Sequence, residues 1–236
     1  MKKKFEIPEC ELCNSTQESL FKGLSKDKKE ELSERKGCNF YKKGQIIFFE
    51  SNRPFGLFCV HKGKIKIYKT SESGKEQIFR FAQEGDILGY RALLGGEPYR
   101  ATAETLTEAV ICFIPKEFLF SIIEKDQEFS LKIMKFLCSE LGNAEERMLN
   151  ITQKPVIERL AEVLLILKEQ FGLTADGKTL GINLTREDLA NFVGTATETV
   201  VRLLHELRDK HLIEVEGRKI KLVDIPGLIK TGNIFD

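Results

Sequence analysis

Between residues 45 and 115 the apolar residues come in short runs of period near two, as in QIIFFE, GLFCVHKG, KIKIYKT, QIFRFA, DILGY, ATAETL and AVICFIP. Turn signals separate them at Lys43-Gly44, Lys62-Gly63, Ser73-Gly74 and Glu84-Gly85, a spacing typical of antiparallel barrels and sandwiches. Residues 38–115 therefore read as an antiparallel β-roll, preceded by a polar helix at 25–35. From about Asp126 the period becomes helical: Met134, Leu137, Leu141, Ala144, Met148 and Ile151 step by three and four. A stripe this narrow fits a seam between two copies of a helix better than an intrachain face. Pro155 then opens a new helix, PVIERLAEVLLILKEQF, with Gly172 at its end. The segment 174–181 reads as a short loop or hairpin.

Beyond it the pattern becomes informative about function. Thr185-Arg186-Glu187-Asp188 has capping-box spacing, and Thr195-Ala196-Thr197-Glu198 repeats it ten residues later. Leu189, Ala190 and Val193 make the first helix apolar on one side, and Gly194 breaks it, which is helix-turn-helix spacing. On the second helix Val200, Leu203, Leu204 and Leu207 form the buried stripe, so Thr197, Glu198, Val201, Arg202 and His205 share the opposite face. That face carries groove-reading chemistry. Arg202 can donate two parallel hydrogen bonds to a guanine, Glu198 can accept from cytosine, and Val201 can touch a thymine methyl. Thr185 and Thr195 at the helix starts, with Thr197 and Thr199, suit phosphate or base-edge contacts. The following IEVEGRKIKLV reads as strand, turn, strand: the wing of a winged helix, with Arg218, Lys219 and Lys221 as phosphate-facing cations.

Charge neither supports nor opposes this reading, since 37 Lys and Arg nearly cancel 36 Asp and Glu across the 236 residues. The basic N-terminus is interrupted by Pro8 and lacks an apolar run for a signal peptide or membrane span, so a cytoplasmic protein without a membrane partner is expected. In that compartment Cys10, Cys13, Cys38, Cys59, Cys112 and Cys138 read as free thiols, metal ligands or redox sensors rather than structural disulfides. Enzyme signatures are missing: His61, His205 and His211 are scattered, with no nucleophile elbow, phosphate loop or histidine-rich metal motif.

From about Glu9 to Val223 the chain resembles the CRP/FNR family of cyclic-AMP-receptor and fumarate-nitrate-type regulators. The resemblance is carried by LTREDLANFVGTATETVVRLLHELRDKHLIEVEGRKIKL in the winged region, and by YKKGQIIFFE, FCVHKGKIKIYK and GDILGY in the roll. It implies an α+β chain: an N-terminal segment bearing Cys-x2-Cys (1–24), a cyclic-nucleotide-binding-like β-roll as effector domain (25–125), a long dimerisation helix (126–153) and a winged helix-turn-helix domain (154–236). Glu198 and Arg202 would then read bases of a pseudo-palindromic double-stranded operator, a homodimer would span it, and RNA polymerase would be a partner.

The family's effector positions fall on Gly89, Tyr90, Arg91, Arg100 and Ala101. The glutamate that holds ribose in cyclic-AMP receptors is replaced by Tyr90-Arg91, which argues against a cyclic nucleotide, although Arg100 and the Ala101 N–H suit an anion. The fumarate-nitrate branch is similar at Cys10, Cys13 and Cys112, three of the four places that hold a [4Fe–4S] cluster there. The fourth place falls on Ser19, leaving Cys38 or Cys59 to complete the set. A zinc site, reversible thiol oxidation and no metal at all stay open beside it. The expected function is a transcription regulator with an effector or redox signal in the roll. The competing expectation is a cyclic-nucleotide-binding regulatory module acting through protein contacts.

Overall fold

The computed structural model describes residues 8–10, 13 and 20–234. They form two compact units, 1–141 and 142–236. The first begins with a 3-10 turn, Leu20–Gly23, and a polar helix α1 (Lys26–Arg35). Eight strands follow: β1 (Gly37–Tyr41), β2 (Ile46–Phe48), β3 (Gly56–Lys62), β4 (Ile65–Thr70), β5 (Glu76–Ala82), β6 (Ile87–Leu88), β7 (Thr102–Thr105) and β8 (Ala109–Pro115). A short helix α2 (Tyr90–Gly95) interrupts them, where the sequence reading extended a strand through Tyr90. With φ +81, Gly89 ends that strand and starts the helix.

All strand pairings are antiparallel and form two four-stranded sheets, ordered β1-β8-β3-β6 and β2-β7-β4-β5. The expected β-roll is this pair. Alternation along the strands sorts side chains between two cores. Val60 and Ile111 point inward and meet Phe48, Ile65 and Ala103 from the other sheet. Leu57, Cys59 and Ile114 point outward into a second cluster with Phe21, Leu24 and Leu32. Helix α3 (Lys116–Lys125) adds Phe118, Leu119 and Ile122 to that outer layer, and the start of α4 (Gln127–Gln153) adds Phe129 and Ile133. Asp126 joins the layer to α1: its carboxylate accepts from Lys28 Nζ at 2.5 Å and from the Phe129 N–H at 3.0 Å.

The second unit contains the end of α4, α5 (Val156–Phe171), α6 (Arg186–Val193), α7 (Thr197–Asp209), a hairpin of β9 (Ile213–Glu216) and β10 (Lys219–Leu222), and a closing helix α8 (Ile225–Thr231). Pro155 caps α5 from outside rather than occupying its first turn, and Gly172 ends it as expected. Leu160, Leu164 and Leu167 of α5 are fully buried with Leu189, Val200, Leu204 and Leu207. The loop 174–181 is closed on itself by a bridge between Leu173 and Leu180 and joins the hairpin through one between Thr179 and Lys221.

Chain chemistry makes the roll separately observable. All four tyrosines, Tyr41, Tyr68, Tyr90 and Tyr99, lie in the first unit, and the chain has no tryptophan. Replacing Ile111, which is fully buried between the sheets, by alanine should destabilise the roll by about 2–5 kcal/mol. Tyrosine fluorescence in a urea titration will show this as a lower midpoint.

Candidate nucleic-acid interface and sulfur centre

Helix α6 starts on a satisfied cap: Thr185 Oγ1 accepts from the Asp188 N–H at 2.9 Å and donates to the Asp188 carboxylate at 2.6 Å. It stops at Gly194, whose φ of +78 is strained for any residue with a Cβ. The second start differs from expectation. Ala196, not Thr195, is the N-cap of α7, with no side-chain cap bond; the Ala196 carbonyl takes the first helical bond, from Val200. The Thr195 N–H is instead held by the Ala190 carbonyl as part of the tight turn.

On α7 the burial follows the helical period. Val200, Leu203, Leu204 and Leu207 are buried, Glu198, Val201, Arg202 and His205 are exposed, and Thr197 and Thr199 are half-buried. Glu198, Arg202 and His205 have no hydrogen bond or ion pair to any other described residue. Their polar ends are open to an external partner.

The wing turns through Gly217, φ +58, between Glu216 and Lys219, which pair directly. Arg218 and Lys219 are exposed at the turn. The third expected cation is engaged: Lys221 donates to Glu216 at 2.6 Å and lies 3.6 Å from Glu214. Both partners sit on β9, so in the free chain Lys221 is paired across the hairpin. One residue missed from sequence ties the wing to the helix pair. Arg186, the first residue of α6, donates Nη2 to the Gly217 carbonyl at 2.6 Å.

A further contact missed from sequence joins α6 to the last part of α4. The Arg147 guanidinium stacks on the Phe192 ring at 4.1 Å, and burial pushes its pKa down to about 10. Asn150 and Lys154 meet Glu162 of α5 at 2.7 and 3.0 Å. Along α4 itself the predicted seam is largely bare. Met134, Leu141, Met148 and Ile151 are exposed large apolar residues, Leu141 by 61% and Met148 by 69%, and Ala144 is exposed too. Leu137 alone packs against the roll's outer cluster.

The effector positions are occupied by intrachain contacts. Arg91 and Arg100 both reach Glu97, at 3.7 and 3.0 Å. Tyr99 stacks on Phe48 at 4.0 Å and lies against Gly89, while Ala101 is half-buried just before β7. Tyr90 points elsewhere: its hydroxyl donates to Glu140 of α4, with Arg80 3.6 Å from the same carboxylate and stacked over the Tyr90 ring. Burial pushes the Tyr90 hydroxyl well above its ordinary pKa, so it remains a donor at neutral pH.

The cysteines depart most from expectation. Cys38 and Cys112 are joined in a disulfide, where the sequence reading expected free thiols, metal ligands or redox sensors rather than a structural bridge. The reason is strand register, which places Cys38 of β1 directly opposite Cys112 of β8. While that bond exists, neither Cys112 nor Cys38 is a thiolate ligand. Cys59 of β3 lies opposite Cys112 on its other side, so three sulfur-bearing residues form one row across the sheet. Over this outer face lie buried Cys10, whose sulfur accepts from Lys36 Nζ at 2.9 Å, and buried Cys13, whose sulfur is 3.1 Å from His61 Nδ1. Burial, reinforced by the proximity of Cys13 and Cys10, pushes the Cys59 thiol up to about 12, and burial lowers the His61 pKa. Cys138 is exposed on α4. Ser19 lies outside the described residues. Among the described residues no three His, Cys, Asp or Glu side chains are arranged to hold a metal ion, and no helix is long and apolar enough to cross a membrane.

Comparison with known proteins agrees with this architecture. Residues 38–126 match the cyclic nucleotide-binding domain, and residues 158–231 match the Crp-like helix-turn-helix domain. The chain is 31% identical over 183 residues to electron transport regulator A of Shewanella oneidensis, covering 77% of this chain and 73% of that one. It is 28% identical over 193 residues to the fumarate and nitrate reduction regulatory protein of Vibrio cholerae, covering 81% and 77%. Among solved structures it is similar to FixK2 from Bradyrhizobium japonicum, with a TM-score of 0.74 and 25% identity over 83% of this chain and 96% of that one. With its roll, its long helix and its capped helix-turn-helix accounted for, the chain belongs to the CRP/FNR family of transcription regulators.

Proposed function

We infer that this regulator binds a pseudo-palindromic operator as a homodimer, reading bases with α7, and that its roll senses redox state through a thiolate centre. The observation that carries the DNA reading is the open row Glu198, Val201, Arg202 and His205 above a fully buried stripe, at helix-turn-helix spacing. Arg202 would take a guanine and Glu198 a cytosine. Thr185, Thr195, Thr197 and Thr199 would position the helix pair against phosphates, joined by Arg218 and Lys219 from the wing. RNA polymerase enters this reading only as a family partner.

Dimerisation is supported by the exposed apolar line on α4, which repeats at coiled-coil spacing. The same helix carries Glu140, held by Tyr90 and Arg80, and seven residues later Arg147, stacked on Phe192. A change in the roll would therefore act on α4 and reach α6 along one continuous element.

For the sensor, a thiolate-ligated group would need the Cys38–Cys112 bond reduced and the cysteines drawn together, since no three described side chains are arranged to hold a metal ion. Cys10 and Cys13 are buried thiols above the sheet row that contains Cys112, with Cys38 and Cys59 on either side of it as candidate fourth donors. A bound [4Fe–4S] group would supply sensitivity to oxygen and to electron supply. The names of relatives such as the anaerobic regulatory protein of Pasteurella multocida favour this over a cyclic-nucleotide module. The pairing of Arg91 and Arg100 with Glu97 favours it too.

Arg202→Ala should weaken binding to the preferred operator by about 1–3 kcal/mol and relax preference at one base pair. Titrations of operator variants at fixed salt will check this, and an unchanged affinity would remove Arg202 from the reading face. Lys219→Ala should weaken all sequences alike and lower the slope of log affinity against log salt by about 1. Leu141→Glu should shift sedimentation toward monomer and cost operator binding while leaving the tyrosine unfolding transition in place.

A further inference from the structure

We propose that Glu162 is a positioning residue for operator reading: it clamps the last turn of α4 to the winged domain, so that a dimer accepts one spacing between half-sites and rejects its neighbours. This rests on the reading of a homodimer on a two-part site given above, and it names what sets the geometry of that site.

The second unit holds both ends of the connection. It carries the last exposed residues of the seam, Ala144, Met148 and Ile151, and the open face of α7 at Glu198, Arg202 and His205. The path between them sets how far apart, and how turned, two reading helices stand. The joint between α4 and α5 has no linker. The Lys154 N–H donates to the Asn150 carbonyl at 3.1 Å, and the next residue, Pro155, accepts from the Arg159 N–H at 3.1 Å. Helical bonding thus ends on one residue and restarts on its neighbour. Backbone rotation there is limited as well, because the Pro155 ring fixes φ and restricts the residue before it.

Side chains hold what freedom remains. Pro155 lacks the N–H that the Ile151 carbonyl, four residues earlier, would accept; Arg159 Nη1 supplies the donor instead, at 2.9 Å. Glu162, in the second turn of α5, takes Asn150 Nδ2 on Oε1 at 2.7 Å and Lys154 Nζ on Oε2 at 3.0 Å. Asn150 and Lys154 are four residues apart, so one carboxylate grips the end of α4 at two points and resists both tilt and rotation. The Lys154 and Glu162 side chains are only 18% and 15% exposed, which shields their ion pair from screening by salt. Helix α5 in turn packs on α6 and α7, and Arg147, three residues before Asn150, lies on the Phe192 ring of α6. Glu162 is the polar step in a path of contacts from seam to reading face.

Two linked binding modules gain most when their connection matches the span of their sites, and a stiff connection makes that optimum narrow. Adding two base pairs moves one half-site by about 7 Å along the duplex and turns it by about 70° around the axis. A clamped elbow cannot follow that change, whereas a loosened one can.

The test uses the full chain and duplexes built from the half-site that wild type selects from a random-sequence library. These are the half-site alone, the pair at the selected spacing, and pairs with one or two base pairs added or removed. Fluorescence anisotropy at fixed salt gives affinity, sedimentation gives dimer content, and circular dichroism gives helix content and melting. Wild type should lose about 100-fold or more in affinity on a two-base-pair change. Glu162→Ala and Lys154→Met should bind the isolated half-site as wild type does, yet lose only about tenfold when the spacing changes. Glu162→Gln, which keeps one acceptor, should fall between. If Glu162→Ala melts early, Lys154→Met probes the same contact from the α4 side.

If these variants keep the full wild-type penalty for altered spacing, or lose half-site affinity in step with every pair, Glu162 does not position the reading helices. If wild type binds the half-site as tightly as the pair, or binds the pair as a monomer, the two-part operator reading fails instead.

Discussion

The in-and-out alternation of β8 is the constraint on which the first unit depends. Because β8 is an inner strand, its side chains have two destinations and no third. Ala109 and Ile111 go inward and hold the two sheets together, while Cys112 and Ile114 go outward beneath the helices. A one-residue slip would exchange the two sets, placing sulfur in the sandwich core and leaving the outer helices without their floor. Register thus fixes at once the stability of the roll and the position of its sulfur chemistry.

The second unit is held by a different device, the satisfaction of polar groups at helix ends and turns. Thr185 and Asp188 close the start of α6, Gly194 closes its end, and Arg186 holds the carbonyl at the wing turn. These contacts hold the α6 cap and the wing together in one unit. They leave the outer face of α7 unencumbered, which is what a surface needs if its hydrogen bonds are reserved for another molecule.

Local patterns were legible in the sequence, and contacts between distant segments were not. Period-two runs gave most of the strands, the Thr185 cap and Gly194 gave α6, and period-3.6 burial gave the stripe at Val200, Leu203, Leu204 and Leu207. Each depends on residues a few positions apart. The Cys38–Cys112 bond joins residues 74 positions apart, through a register that turn lengths and bulges decide jointly. Tyr90 with Glu140 and Arg147 with Phe192 are likewise invisible until the chain closes on itself. The pairing of Lys221 went unread for a smaller reason: Glu214 and Glu216 come opposite it only through the hairpin register. The cap at Ala196 shows that a threonine with the right spacing can lose its place to a tight turn.

The bare line of Met134, Leu141 and Met148 bears on dosage as well as on assembly. Water meets these side chains whenever α4 is alone, so the pairing of α4 proposed above would become more populated as more chains are present. A reader that needs two copies to span one site then fills that site more steeply than in proportion to its own abundance. For that proposed dimer, cellular protein level would be a second input beside the signal proposed for the roll.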